Sequence, residues 1–277
     1  MTGEPFPAGA AILDRLTEVP ELGTLDTLLV RRDGPVLVVV MDRPQVLNAY
    51  DRTMVAELRR VWRFLGGTAD LRAAVLTGSG AVSFSTGLDV DDTLASGVSS
   101  PSLDDAGRVN LTSKDAGVFV PVVAAVNGYC CAGGWHFIND ADVIVCSPQA
   151  TFFDTHVDVG LANPVEAVGL LSRLPLTEVL RMVASGRAYR MDSARALQLG
   201  LVTEIAAADE LIERALQIAH TIAGHPGPLV QRSLATVWSA VFDQRAAAER
   251  LGLALLQATP TGGRRLTAFR SPPGDGR

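Results

Sequence analysis

The chain has 277 residues, of which 48% are hydrophobic and 19% are charged, and its formal net charge is −6 at pH 7. This composition is typical of one large globular domain, and the acidic balance argues against a surface for nucleic acid or anionic membrane. No apolar run reaches the roughly eighteen residues of a membrane span, and the N-terminus lacks the basic and apolar segments of a signal peptide. The three cysteines have no metal-ligand spacing, so we expect a reduced, cytoplasmic protein without a metal site.

The N-terminal part of the chain predicts an arm, a hairpin and a helix. Residues 1–23 are rich in Pro, Gly and Ala without a sustained period, which is typical of a flexible arm. Two apolar runs joined by a turn at Asp33-Gly34 predict a β-hairpin within residues 28–41. Either Asp51 or Thr53 then caps an amphipathic helix.

A nearly unbroken apolar run over 118–126 predicts a strand that is buried on both faces. Asn127-Gly128 ends this run, and Ala132-Gly133-Gly134 leads into a helical pattern. A glycine-rich turn at the start of a helix presents bare backbone N–H groups and the positive end of the helix dipole, so it can hold an anion or a developing oxyanion. The alternative is that the glycines only allow the helix to pack closely on the strand.

The same turn has features of a nucleophile elbow, because Gly128-Tyr129-Cys130 resembles the start of the pattern G-x-nucleophile-x-G. Position 132 is Ala rather than Gly, and buried cysteines commonly pack as small hydrophobic residues. A thiol hydrolase that uses Cys130 is therefore a minor alternative. The turn matches neither the dinucleotide-binding nor the nucleotide-phosphate glycine pattern.

The rest of the chain alternates between strands and helices before it becomes helical. Residues 91–115 are polar and predict a mobile loop or a broken helix. Apolar runs predict further strands at 73–77, 82–84, 143–146, 152–159 and 201–205. Helical periodicity predicts helices at 170–174, 177–184, 194–199, 210–223, 228–240 and 244–258, and Ser193 is the predicted cap of the helix at 194–199. This order indicates an α/β core over 24–209 and a helical C-terminal region with a tail over 210–277.

Five segments together resemble the crotonase family, that is, the enoyl-CoA hydratases and isomerases. In chain order they are MDRPQVLNAYD (41–51), AAVLTGSGAVSFSTGLDV (73–90), PVVAAVNGYCCAGG (121–134), DADVIVCSPQATF (140–152) and ARALQLGLVTEI (194–205). The resemblance implies an α/β fold, a crotonase-like spiral of ββα units with a C-terminal helical trimerisation region, in a homotrimer or homohexamer. It also implies an acyl-CoA thioester as substrate, with coenzyme A as part of that substrate and no separate cofactor.

The family stabilises an enolate-like thioester oxygen with two backbone N–H donors. By position, the resemblance assigns the donors of this oxyanion hole to Gly133 and to Leu88, where the family usually has Ala. Backbone donors survive side-chain changes, so Leu88 is compatible with that role. The matched segments further imply substrate contacts, which fall on Val46, Gly87, Asp89, Val90 and Gly134.

Both glutamates that the family's hydratases use are replaced, since His136 and His156 occupy the matched positions. Imidazole transfers protons near neutral pH, so both histidines are candidate acid/base residues, and Glu166 is a third candidate. The alternative is that the two histidines are structural. We interpret Asp158, two residues after His156, as a solvated loop charge.

The segments that bind coenzyme A also depart from the family pattern. Gln45 and Asp91 stand where the family often has lysine, which leaves four arginines as phosphate partners, namely Arg43, Arg264, Arg265 and Arg270. The sequence supports three hypotheses: an acyl-CoA hydratase or isomerase with histidines in place of glutamates, a non-catalytic acyl-CoA-binding protein, and the thiol hydrolase. We do not expect ordinary hydratase activity, because the paired glutamates that position a water are absent.

Overall fold

In the computed structural model of the chain, the described residues are 10–96, 110–163 and 165–258. The strands in these ranges are β1 (Thr17–Glu18), β2 (Leu28–Asp33), β3 (Val36–Met41), β4 (Ala73–Gly78), β5 (Ser83–Ser85), β6 (Val122–Val126), β7 (Tyr129–Cys131), β8 (Val143–Cys146), β9 (Thr151–Phe153), β10 (Met191–Asp192) and β11 (Glu204–Ile205). The helices are α1 (Ala10–Leu13), α2 (Arg52–Gly67), α3 (Val90–Ser96), α4 (Trp135–Asn139), α5 (Glu166–Leu170), α6 (Leu176–Ser185), α7 (Ser193–Gln198), α8 (Leu211–Ala223) and α9 (Gly227–Ala258).

Two sheets organise the fold. The larger sheet has the order β1-β2-β3-β4-β6-β8-β11, with antiparallel pairing from β1 to β3 and parallel pairing from β3 to β11. The smaller sheet has the order β10-β9-β7-β5, in which β5, β7 and β9 are parallel. Because β4, β6 and β8 are each followed by a strand of the smaller sheet, the chain winds as a spiral of two-strand units with helices between them.

The larger sheet is buried on both faces, which explains why its strands are unbroken apolar runs. In β3, Leu37 and Val39 pack in the core on one face, whereas Val38 and Val40 pack on the other face with α8. Full burial of such a side chain stabilises the fold by about 1.5–3 kcal/mol. The apolar runs therefore fix the position of this sheet between two layers.

The N-terminal stretch is more ordered than the sequence predicts. β1 pairs with β2, and Leu13 and Leu22 are only 2% and 3% exposed. These contacts pack the described part of the predicted arm, residues 10–23, against the rest of the fold. Residues 1–9, the rest of the predicted arm, lie outside the described residues.

Capping carboxylates begin two of the helices. The predicted hairpin is confirmed by the pairing of β2 with β3, and Asp51 rather than Thr53 caps α2, since its carboxylate accepts the Met54 N–H at 2.8 Å. At α7 the cap is Asp192 rather than Ser193, because the Asp192 carboxylate accepts the Arg195 N–H at 2.8 Å.

Other element bounds differ from the predictions. Within the predicted loop 91–115, the part up to Ser96 is helical, and 97–109 lie outside the described residues. The strand predicted over 118–126 begins only at Val122. The two helices predicted at the C-terminus are one helix, α9, because neither Gly nor Pro interrupts residues 229–251. In the described ranges, no helix is both long and apolar enough to cross a bilayer.

Candidate active site

The predicted site residues lie where three parallel strands of the smaller sheet end. Leu88 comes shortly after β5, Gly133 shortly after β7, and His156 shortly after β9. The carboxyl ends of parallel strands share one edge of a sheet, and ligands commonly bind there. The fold thus brings three separate sequence motifs to one place.

The backbone segments that carry the two predicted oxyanion donors are in direct contact. Gly87 has φ +89°, and a Cβ built on it would lie 2.4 Å from the Gly133 nitrogen. The Tyr50 N–H donates to the Gly87 carbonyl at 2.8 Å, and the Asp89 N–H donates to the Tyr50 carbonyl at 2.9 Å. Since successive N–H groups along an extended segment point to opposite sides, the Leu88 N–H points away from Tyr50.

Two imidazoles approach one carboxylate oxygen of Glu166, the first residue of α5. The distances to Glu166 Oε1 are 3.2 Å from His136 Nε2 and 3.7 Å from His156 Nε2. The exposed fractions of the three side chains are 10% for His136, 14% for His156 and 9% for Glu166. All three predicted acid/base residues therefore form one nearly buried cluster. Among the described residues, no group of His, Cys, Asp and Glu has the arrangement of a metal site.

The charges of this cluster support one another. Burial opposes ionisation of Glu166, but His136 and then His156 hold the pKa of its carboxyl well below the ordinary value. Burial also disfavours the charged form of each imidazole and so lowers its pKa. The negative charge of Glu166 has the opposite effect, and on balance the pKa of both histidines is raised above the ordinary value. At neutral pH Glu166 is a carboxylate, and both imidazoles hold protons more tightly than an ordinary histidine.

The segment after β9 does not continue as a strand towards Val159, as the sequence predicts. His156 has φ −59° and ψ −48° and begins the 3-10 turn Val157–Val159. This turn directs Asp158 to Arg187, whose backbone N–H the carboxylate accepts at 2.8 Å. Asp158 is therefore a paired loop charge, because the chain bends between it and the cluster.

Three polar residues that the sequence interpretation missed hold the cluster in place. Asp154 Oδ1 lies 2.7 Å from His156 Nδ1 and accepts from Asn163 Nδ2 at 3.0 Å. Asn163 Oδ1 accepts the backbone N–H that follows Glu166 at 2.9 Å, and Asn139 Nδ2 donates to the Glu166 carbonyl at 2.9 Å. A signal for Asp154 was available, since it follows β9 directly at the edge where the glycine turn follows β7.

The other predicted substrate contacts surround the same edge. A Cβ built on Gly134 would lie 2.4 Å from the Ser85 carbonyl oxygen, so close packing requires glycine there. Val90 is the first residue of α3, and Val46 ends a 3-10 turn with 36% of its surface exposed. Gly87 packs against the backbone of Gly133, as described above.

Arg43 is engaged within the protein. Its guanidinium is 16% exposed and lies 2.9 Å from the Asp89 carboxylate and 3.2 Å from the Asp51 carboxylate. The same group donates to the Ala49 carbonyl at 2.7 Å. Arg43 and Asp89 therefore hold the loops at the site together, and the role of Arg43 as a phosphate partner stays a prediction. The other three predicted arginines, Arg264, Arg265 and Arg270, lie outside the described residues.

Cys130 lacks the surroundings of a nucleophile. Its side chain is 0% exposed, and burial raises the pKa of its thiol well above the ordinary value. Reactive cysteines are thiolates in accessible, electropositive places. The structure therefore favours Cys130 as a packed core residue over the thiol hydrolase hypothesis.

Two cavities of about 430 and 560 Å³ lie away from this cluster. Both are lined by Gly66, Val120, Pro228 and Gln231, between the end of α2 and the start of α9. Val120 precedes β6, so this groove lies at the amino-terminal edge of the larger sheet.

Comparison with known proteins identifies the family. A family profile described as enoyl-CoA hydratase/isomerase matches residues 31–261, most of the chain. The chain belongs to the enoyl-CoA hydratase/isomerase family. Its relatives there include carnitinyl-CoA dehydratases: it is 31% identical to the Citrobacter koseri protein over 219 residues, which cover 79% of this chain and 82% of that one.

Solved structures of the family have the same fold. The enoyl-CoA hydratase from Mycobacterium tuberculosis H37Rv matches with a TM-score of 0.74 and 28% identity, covering 86% of this chain and 100% of that one. The enoyl-CoA hydratase/isomerase from Pseudoalteromonas atlantica matches with a TM-score of 0.75 and 25% identity, covering 89% and 99%. The predicted crotonase-like α/β fold is confirmed.

Proposed function

We propose that this member of the enoyl-CoA hydratase/isomerase family is an enzyme that moves a proton at Cα of an acyl-CoA thioester. The thioester oxygen lies between the N–H groups of Leu88 and Gly133, and the cluster of His136, His156 and Glu166 exchanges the proton. The observation that carries the proposal is the Glu166 carboxylate between two imidazoles, at 3.2 and 3.7 Å. This cluster and the two donors follow strands that end at one sheet edge.

The chemistry follows from the charges. A neutral imidazole takes the Cα proton, and the electron pair moves onto the thioester oxygen to give an enolate. Two preorganised backbone donors stabilise that oxygen by about 3–4 kcal/mol each in the transition state. The Glu166 carboxylate stabilises the imidazolium that forms, which then returns a proton to carbon.

Ordinary hydration makes a different demand. Water addition needs a base that activates water at Cβ and an acid that protonates Cα, each within hydrogen-bond reach. Here both imidazoles face one carboxylate, so neither has the position of an independent glutamate. We therefore expect slow hydration of crotonyl-CoA and faster proton exchange at Cα.

The test measures both reactions on the full chain. Deuterium incorporation at Cα of a saturated acyl-CoA in D₂O is followed by mass spectrometry, beside hydration of crotonyl-CoA followed by absorbance. We expect exchange to exceed hydration, and fast hydration would contradict the specialised chemistry. Tight acyl-CoA binding with neither reaction would favour a non-catalytic binding protein, a candidate supported by the mutual pairing of the three buried titratable groups.

For the assembly, the proposal is a homotrimer or homohexamer in which α9 packs between subunits. Three apolar side chains on α9 are largely exposed, with values of 60% for Leu229, 62% for Val237 and 62% for Leu251. Large exposed apolar residues on one helix are typical of an interaction surface. Sedimentation equilibrium of the full chain tests this, and a monomer across the concentration range would contradict it.

A further inference from the structure

The acid/base cluster does not account for Asp154, the residue that follows β9. Only 1% of the surface of Asp154 is exposed, so its carboxylate needs hydrogen-bond partners that compensate for the loss of water. It has three: His156 Nδ1 at 2.7 Å, Asn163 Nδ2 at 3.0 Å and the His156 backbone N–H at 3.3 Å. Two of these contacts are to a single residue, which fixes both the ring and the backbone of His156.

We propose that Asp154 is a positioning residue that keeps the Nδ1 proton on His156, which makes His156 rather than His136 the residue that exchanges protons with the substrate. A carboxylate only accepts hydrogen bonds, so the His156 nitrogen facing it must carry the proton. In the neutral ring Nε2 is then the unprotonated nitrogen. It lies 3.7 Å from Glu166 Oε1, which is beyond hydrogen-bond distance, so the Glu166 carboxylate does not require a proton on Nε2 as Asp154 does on Nδ1. The part of this proposal that concerns turnover rests on the proposed function.

The two histidines differ in whether a carboxylate pairs with Nδ1. Within the described part of the chain, His136 pairs only with Glu166, through Nε2 at 3.2 Å. No comparable carboxylate pairs with its Nδ1 there, so no contact among the described residues fixes which nitrogen of neutral His136 is protonated. A carboxylate behind an imidazole fixes its tautomer and increases its basicity. The geometry therefore makes His156 the better base, and leaves His136 as the charge partner of Glu166.

Charged groups around His156 determine whether loss of the Asp154 charge raises or lowers the pKa of His156. Asp154 lies on its own segment, Glu166 faces it from α5, and His136 lies across Glu166 on α4. Cys131 of β7 lies near Asp154 on one side and near the exposed Arg190 on another, and Asp158 is paired with Arg187. Removal of the Asp154 charge takes away stabilisation of the imidazolium, so the pKa of His156 should fall.

The first measurement determines the tautomer of His156 in the wild-type protein. In ¹⁵N-labelled full-length protein, the ring-nitrogen shifts of the four histidines report the tautomer of each neutral ring, and His156→Gln assigns the signal. We expect neutral His156 to carry its proton on Nδ1. A neutral His156 with the proton on Nε2 would overturn the proposal whatever the activity.

The second measurement compares Asp154→Asn with Asp158→Asn, a carboxylate four residues away that pairs with Arg187. We expect Asp154→Asn to lower kcat for Cα exchange on the order of 10²-fold with a much smaller change in KM, and to move the acidic limb of the pH profile, which reports the pKa of the neutral base, to lower pH. Asp158→Asn should leave both kcat and the pH profile unchanged. If folded Asp154→Asn kept the wild-type exchange rate and pH profile, the inference about Asp154 would be overturned while the proposed function stands. If the wild-type protein showed no exchange, the proposed function would be overturned, and the tautomer of His156 would still decide the inference.

Discussion

Replacement of Gly87 by Ala is expected to slow Cα exchange by roughly 10²–10³-fold, the cost of losing an oxyanion donor. Gly87 has φ +89°, and its new Cβ would lie 2.4 Å from the Gly133 nitrogen and 2.9 Å from the Gly133 Cα. Both partners are backbone atoms, so they cannot move aside as a flexible side chain does. The segments that carry Leu88 and Gly133 must separate, and the two N–H groups then no longer converge on one oxygen.

Gly200→Ala is the matched control for this variant. Gly200 has φ +78°, and a Cβ there meets nothing within 4 Å. Both substitutions carry the cost of a left-handed backbone, about 1–2 kcal/mol, but only Gly87→Ala adds the collision. Exchange rates measured with a saturated acyl-CoA, beside thermal unfolding of each variant, separate the two effects. Equal exchange rates in the two variants would contradict the oxyanion role of this contact.

The sequence predicted the fold where the pattern is local. The runs in β3 and β6 are buried on both faces, and a continuous apolar run is the direct signature of such a strand. The end of β9 was not predictable in the same way, because the bend at His156 depends on contacts with residues distant in sequence. In an extended segment Asp154, His156 and Asp158 would all share one face. The bend keeps Asp154 at the His156 ring and moves Asp158 to Arg187.

The candidate site was predictable in composition but not in geometry. Motif positions identified His136, His156 and Glu166, yet nothing local indicates that the two histidines, 20 residues apart, approach the same oxygen of Glu166. That distance depends on how α4 packs against α5. Asn139 of α4 donates to the Glu166 carbonyl at 2.9 Å, and the buried Arg245 of α9 donates to the carbonyls of Asn139 and Gly169 at 3.3 and 3.2 Å. These long-range contacts set the separation.

Replacement of Glu166 by Gln is expected to lower the exchange rate on the order of 10²–10⁴-fold. The amide is nearly the same size but carries no charge, so the main charge that opposes the effect of burial on the two imidazoles is lost, and only Asp154 at His156 and the more distant Asp115 and Asp140 at His136 remain. The pKa of His136 and of His156, both raised in the wild type, should fall. Histidine titration by NMR measures these shifts, and the acidic limb of the pH–rate profile, which reports the pKa of the neutral base, should move to lower pH with them.

The stability of the same variant should depend on pH in a defined direction. The Glu166 carboxyl has a lowered pKa, so its contribution is present above the ordinary value of 4.5 and is lost as pH falls through the lowered pKa. The imidazoles have raised pKa values, so their contribution is present below the ordinary value of 6.5 and is lost as pH rises through the raised pKa. All three contributions overlap between 4.5 and 6.5.

Urea unfolding at about pH 5.5 should therefore show the largest loss of stability in Glu166→Gln, on the order of 1–3 kcal/mol, because charged imidazoles lose their buried partner. The difference should shrink at alkaline pH, where both rings are neutral in either protein. Glu204→Gln is the control, since Glu204 and Arg214 form a pair in which both side chains are 40% exposed. Such a surface pair is worth about 0.2–1 kcal/mol. If Glu166→Gln instead matched the control in stability at every pH and kept both histidine pKa values, Glu166 would not be the charge partner of the two imidazoles, and the imidazolium formed in proton exchange would need another group to stabilise it.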